Sequence, residues 1–305
     1  MARFTINFMS EAVKRAITLE VVLPADHAVM PAGELPPTGE PYKTLYYLEG
    51  SMGNASGPLN YSQLQLMAED YDLAVVVIGG ENRWWGSAKK LDEDYGAMVT
   101  TDVVNFTRRV FNLSRRREDT FIGGFSMGGH GAFVLGLRNP ELFGRIISLD
   151  ASLQKMAIQT SVNEKERWDP TPRTGYETIF GLEKVEDWIG SRDDYEFLAK
   201  ELAENVPESK PEIFMSCGTK DGLYAFNRDY EKLLLDLGYA VTWNDVEGAM
   251  HSYYSCNAGL DAAMKWLPLH RELHTNYPYY GIEANVGFEN FNGWKPLYNV
   301  EAAVK

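Results

Sequence analysis

Residues 120–131 read Thr-Phe-Ile-Gly-Gly-Phe-Ser-Met-Gly-Gly-His-Gly, and this stretch constrains the fold more than any other. It contains Gly124-Phe125-Ser126-Met127-Gly128, a G-x-S-x-G pentapeptide. A short apolar, β-prone run leads in, and a helix-compatible run from Gly131 to Asn139 follows. Strand, sharp turn and helix in that order are the context of a nucleophile elbow. A serine strained into φ > 0 at such a turn leaves no room for side chains two residues to either side, which is where the glycines fall. The turn pushes Oγ clear of the backbone. It also sets the Met127 N–H at a helix N-terminus, where a developing oxyanion would be stabilised.

The rest of the chain supplies a frame for that elbow. Arg3–Met9 and Ala16–Leu23 alternate apolar and polar residues and are predicted as an antiparallel pair. The stretch from Pro24 to Pro41 is rich in Pro and Gly and is expected to be a long surface loop. Thr44–Leu48, Leu73–Ile78, Thr120–Gly124, Arg145–Leu149, Glu212–Ser216 and Ala240–Val246 are short apolar runs suited to buried strands. Helices are predicted over Ser62–Glu69, Tyr95–Phe111, Asn227–Leu237 and Ala258–Trp266. The alternation predicts an α/β fold, one domain over 1–305 with a mostly parallel central sheet and helices on both faces. Two segments depart from the rhythm. Residues 154–211 carry Trp168, Tyr176, Phe180 and Trp188 among many charges and are expected to form a cap-like insertion. Residues 270–305 form an aromatic, irregular C-terminal extension, suited to wrapping the domain or to contact with a second subunit in a homo-oligomer.

Charge narrows the partners. The net charge of −14 argues against nucleic acid or an anionic membrane, since either needs a basic footprint. No stretch approaches the ~20 apolar residues of a membrane-spanning helix. Residues 1–22 lack the basic start and continuous apolar core of a signal peptide. The 2 cysteines, Cys217 and Cys256, have no metal-ligand spacing and do not suggest a disulfide framework. These features predict a cytoplasmic, reduced protein without a bound metal.

A serine hydroxyl needs a base to take its proton and an acid to orient that base. Behind such an elbow the chain order is serine, acid, histidine. Of the five histidines, His251 lies in a loop just after the last predicted strand, where the base is expected. His130, four residues beyond Ser126 on the elbow helix, is placed to support the turn. His27, His270 and His274 lie in the early loop and the tail. Asp221 follows the penultimate strand and is the candidate acid, with Asp150, at the end of Arg145–Leu149, as its competitor. The second oxyanion donor is expected from the loop after an early strand, which points to Gly50-Ser51 and the Ser51 N–H. Trp84 and Trp85 follow Leu73–Ile78 on the edge where active-site loops collect. They are candidates for a substrate wall, with Gly50 beside them, or for a packed surface staple.

Four segments together resemble a known family. They are Tyr46-Tyr47-Leu48-Glu49-Gly50-Ser51-Met52-Gly53-Asn54, Gly124-Phe125-Ser126-Met127-Gly128-Gly129, Cys217-Gly218-Thr219-Lys220-Asp221 and Gly248-Ala249-Met250-His251. They are similar to the putative esterase family, which includes tributyrin esterase, esterase D or S-formylglutathione hydrolase, and feruloyl or acetylxylan esterases. The likeness spans roughly residues 15–268 and is closest to the tributyrin-esterase branch. It implies an α/β-hydrolase fold, a Ser126–Asp221–His251 triad and ester hydrolysis without a cofactor. The expected substrates are short acyl, acetyl-type esters, small or carried on an oligosaccharide. An S-formylglutathione thioesterase or a silent binding protein of the same fold are the alternatives. The chain departs from the family at Glu49-Gly50, where members usually carry His-Gly.

Overall fold

The computed structural model describes residues 2–25, 39–88, 91–153 and 173–269. Strands β1 (Ala2–Ser10), β2 (Arg15–Leu23), β3 (Thr44–Leu48) and β4 (Ala74–Ile78) come first. A short pair, β5 (Ser87–Ala88) and β6 (Glu93–Asp94), stands apart from the main sheet. Then come β7 (Thr120–Phe125), β8 (Arg145–Leu149), β9 (Glu212–Gly218) and β10 (Val241–Val246). The main sheet has 8 strands in the order β1-β2-β4-β3-β7-β8-β9-β10. β1 and β2 pair antiparallel, as their alternation predicts, and β2 meets β4 antiparallel. Along the main sheet from β4 through β3 to β10 every pairing is parallel.

The central strands β3, β4 and β7 are buried at every position, as strands covered on both faces must be. Two apolar layers do the covering. On one side, Met127, Phe133 and Leu137 of the elbow helix join Tyr46, Ile122 and Ile146 of the sheet. On the other, Cys256, Leu260 and Met264 pack with Leu45, Phe121, Ile147 and Phe214. Both cysteines are free and buried.

The helices are α1 (Gly57–Tyr61), α2 (Leu64–Asp70), α3 (Tyr95–Ala97), α4 (Val104–Val110), α5 (Met127–Arg138), α6 (Arg173–Ile179), α7 (Tyr195–Asn205), α8 (Tyr224–Asp236) and α9 (Tyr253–Trp266). The helix predicted over Tyr95–Phe111 is real but not uniform, because Met98–Val103 between α3 and α4 is wound as a π-helix. The helix expected over Ala258–Trp266 is α9, which begins five residues earlier at Tyr253, where Ser252 caps the first turn by accepting from the Ser255 N–H.

Of the insertion, residues 154–172 lie outside the described residues, as do 270–305, His27, His270, His274 and most of the early Pro-rich loop. The described remainder lays Phe180, Trp188 and Tyr195 around His130 of α5, with Tyr176 against Trp84 and Phe180. No described helix is long and apolar enough to cross a membrane.

Candidate active site

Parallel strands deliver their C-terminal loops to one edge of the sheet. β3, β7, β8, β9 and β10 therefore bring Glu49-Gly50-Ser51, Ser126, Asp150, Asp221 and His251 to that edge.

Ser126 sits between β7 and α5 at φ 58° and ψ −117°, the strained turn the pentapeptide predicts. The glycines around it answer to close backbone approaches. A Cβ on Gly128 would lie 2.0 Å from the Leu48 carbonyl oxygen, and one on Gly124 would lie 2.5 Å from the Gly128 carbonyl carbon. The elbow is thus pressed against the end of β3, and any side chain would push them apart. Hydrogen bonds pin it from the other side. Ser126 N–H donates to Leu149 O at 2.9 Å, and Ser152 N–H donates to Ser126 O at 3.1 Å.

His251 and Asp221 meet the serine as a linear chain. His251 Nε2 lies 3.0 Å from Ser126 Oγ, and Nδ1 lies 2.6 Å from Asp221 Oδ2. Leu223 N–H donates to the other Asp221 oxygen at 2.9 Å. Asp221 is buried, whereas the His251 side chain is 30% exposed and so open to incoming molecules. Burial works to raise the Asp221 pKa, but the bonds from His251 and the Leu223 N–H outweigh it and hold the carboxylate below its ordinary range. Phe125 stacks on the His251 ring at 4.8 Å and on Tyr253 at 5.5 Å, fixing the plane of the imidazole.

The elbow places Met127 N–H at the first position of α5, where an N–H has no intrahelical acceptor. Gly50 abuts the nucleophile from β3. A Cβ there would meet Phe125 O at 3.3 Å and Ser126 Cβ at 3.5 Å. Glu49 is buried, and its Oε1 accepts from the N–H groups of Gly80 at 2.7 Å and Glu81 at 3.3 Å. It thereby ties the β3 loop to the β4 loop. Burial pushes its carboxyl up to about 7, with the nearby Glu81 adding to the rise and the two N–H bonds opposing it.

The two tryptophans stand elsewhere. Trp84 is 3% exposed and Trp85 0%, so both lie in the core and not on an open wall. Trp85 fills the space beside Gly131 of α5, and Trp84 meets His130 edge-on at 5.4 Å. They are packed, though beneath the elbow and not on the surface. His130 supports the same layer. It is 1% exposed, and burial drives its pKa down to about 4, only partly offset by Asp194.

Two further groups lie at the site. Ser152, buried, sets its Oγ 3.4 Å from that of Ser126, and nothing in its local pattern announces this. Asp150 is not the acid that meets the imidazole, yet it lies against that acid. One oxygen each of Asp150 and Asp221 and a ring nitrogen of His251 fall within 4.8 Å of one another.

Comparison with known proteins decides the family. Residues 10–266 match the family described as putative esterase. The chain belongs to that family. An acetyl esterase of Caldicellulosiruptor saccharolyticus is 32% identical over 267 residues, which is 88% of this chain and 98% of that one. These matches make this member an esterase. The fold agrees with solved α/β-hydrolases. An S-formylglutathione hydrolase from Staphylococcus aureus superposes with a TM-score of 0.72 at 23% identity, covering 87% of this chain and 98% of that one. A ferulic acid esterase from Anaeromyces mucronatus does so with a TM-score of 0.56 at 18% identity, covering 87% and 89%.

Proposed function

We propose that this esterase cleaves short acyl, acetyl-type carboxylic esters, small or carried on a carbohydrate, through an acyl-enzyme on Ser126. The observation that carries the reading is the unbroken chain Ser126 Oγ–His251–Asp221 at 3.0 and 2.6 Å. The 32% identical acetyl esterase supports the acyl group, since its match runs the whole length of the domain.

In this mechanism Asp221 accepts from His251 Nδ1–H and so leaves Nε2 unprotonated toward the serine. Nε2 takes the Oγ proton as Oγ attacks the ester carbonyl. The N–H groups of Met127 and Ser51 hold the resulting oxyanion. Collapse breaks the bond to the alcohol, which leaves with the proton from Nε2. Water then enters, gives a proton to Nε2, attacks the acyl-Ser126 carbon, and releases the carboxylic acid as Oγ recovers its proton. The exposed side of His251 is where both alcohol and water have to arrive.

The test is p-nitrophenyl acetate hydrolysis by the wild type and Ser126→Ala, followed by a panel of acyl esters, acetylated oligosaccharides, feruloyl esters and S-formylglutathione. Acetyl esters should be turned over best, and Ser126→Ala should be silent. Equal rates from both proteins would overturn the role of Ser126. Preference for S-formylglutathione would overturn the substrate class while keeping the machinery.

A further inference from the structure

We propose that Asp150 is a positioning residue whose carboxyl, held neutral, donates from Oδ2 to the Asp221 carboxylate and so fixes the oxygen that meets His251. This rests on the Ser126–His251–Asp221 reading above.

The geometry assigns the proton. Asp150 is completely buried at the end of β8, in a left-handed turn at φ 44°. Its Oδ1 is committed, accepting from Gly218 N–H at 2.9 Å and from Ser255 Oγ–H at 2.8 Å. An oxygen that receives two donors is not the one that carries a proton. Its Oδ2 is sealed from solvent and has no donor among the described residues. A bare carboxylate oxygen in that setting is strongly disfavoured, and a second ionised carboxylate beside Asp221 would be repelled. An O–H on Oδ2 removes both problems if it has an acceptor, and Asp221 is the acceptor at hand. Two carboxyls then share one proton, with the anion on the member that faces the imidazole.

The surroundings agree. The titratable groups that face Asp150 are Asp221 and His251, Cys217 of β9, Cys256 of α9 and Tyr47 of β3. None of these is a permanent cation that would hold a second anion. Burial, with Asp221 adding to it, pushes the Asp150 carboxyl up to about 7, while Asp221 is held below its ordinary range. The pair is therefore split into a neutral donor and an ionised acceptor. As pH rises through about 7 the donor ionises, the bond becomes a repulsion, and Asp221 loses its fixed orientation.

Kinetics of the full chain with p-nitrophenyl acetate test this. Asp150→Ala should lower kcat roughly ten- to a hundredfold, the size expected for removing a partner that orients a reacting group, with KM little changed. Asp150→Asn keeps an N–H donor toward Asp221 and should restore most of that loss. The wild type should lose kcat as pH rises above about 7, and Asp150→Asn should remove that fall. A wild-type kcat and pH profile in Asp150→Ala would overturn the proposal, as would an Asp150→Asn loss equal to that of alanine. If the alanine variant does not fold, infrared spectroscopy decides. At about pH 6, where ordinary carboxyls are ionised, the wild type should show a carboxylic-acid C=O stretch that Asp150→Asn lacks, and identical spectra would overturn the assignment. Fluorophosphonate labelling separates the two readings. Labelling that needs Ser126 and His251, beside Asp150 variants that behave as wild type, sinks only the inference. Turnover that survives Ser126→Ala sinks both.

Discussion

Two histidines flank Ser126, and the protein treats them in opposite ways. His251 stands on a loop at the sheet edge, partly open to solvent, with a partner for each ring nitrogen. His130 stands one turn into α5, walled in by Trp84, Phe180, Trp188 and Tyr195. Neither of its nitrogens has a hydrogen-bond partner among the described residues. An imidazole with two polar partners and an open edge can move a proton. The same ring among aromatic faces is a flat packing piece that stays neutral. Distance from the serine along the chain is therefore a poor guide to a histidine's work, and surroundings are a good one.

The sharpest way to break this contrast is to remove each ring in turn. His251→Ala should lower kcat/KM by about 10⁴-fold or more while leaving the melting temperature near that of the wild type. His130→Ala should do the reverse, costing about 2–4 kcal/mol of stability through the cavity it leaves, with kcat changed only a few-fold. Denaturation and steady-state kinetics on both variants check the pair. If His130→Ala abolishes turnover in a folded protein, the contrast fails.

Acid sharpens it next. The native His130 takes up its proton only near 4, whereas an unfolded histidine does so near 6.5. The unfolded state thus binds more protons between those values, and stability falls as pH drops from about 6.5 to about 4. His130→Leu should flatten that fall by about 3 kcal/mol in denaturant titrations. Glu49 has the opposite sign and an effect of similar size. Its native pKa of about 7 lies above the free value of 4.5, so its contribution is full below 4.5 and is lost as pH rises through 7. Glu49→Gln should remove about 3 kcal/mol of that decline, read by the same titrations.

How much of this could be seen in the sequence follows from how local each cause is. The elbow was legible because its strain is met by glycines two residues away, in the same pentapeptide. The strands were legible because burial on both faces writes continuous apolar runs, as in Ala74–Ile78. Asp221 and His251 could be placed from strand order, since parallel strands export their loops to one edge. What stayed hidden depends on packing between distant segments. Trp84 and Trp85 follow a strand like wall residues, yet α5 draws them inward. Asp150 read as a rival to Asp221 because a sequence shows two acids and not the single proton between them. The π-helical turn at Met98–Val103 left no trace in a pattern that scans as one helix.

The hidden cysteines give the molecule a built-in gauge. Cys256 is pushed up to about 12 by burial, and Cys217 is raised further still by burial and by the nearby Asp150 and Asp221. Neither can form a thiolate in the closed structure at ordinary pH, so a thiol-reactive dye has nothing to attack there. Each sulfur becomes reactive only when the packing that buries it parts, which for Cys256 is the layer between α9 and the sheet and for Cys217 is the opposite face of β9. The speed of dye capture is then a count of how often that packing opens, taken without changing a residue.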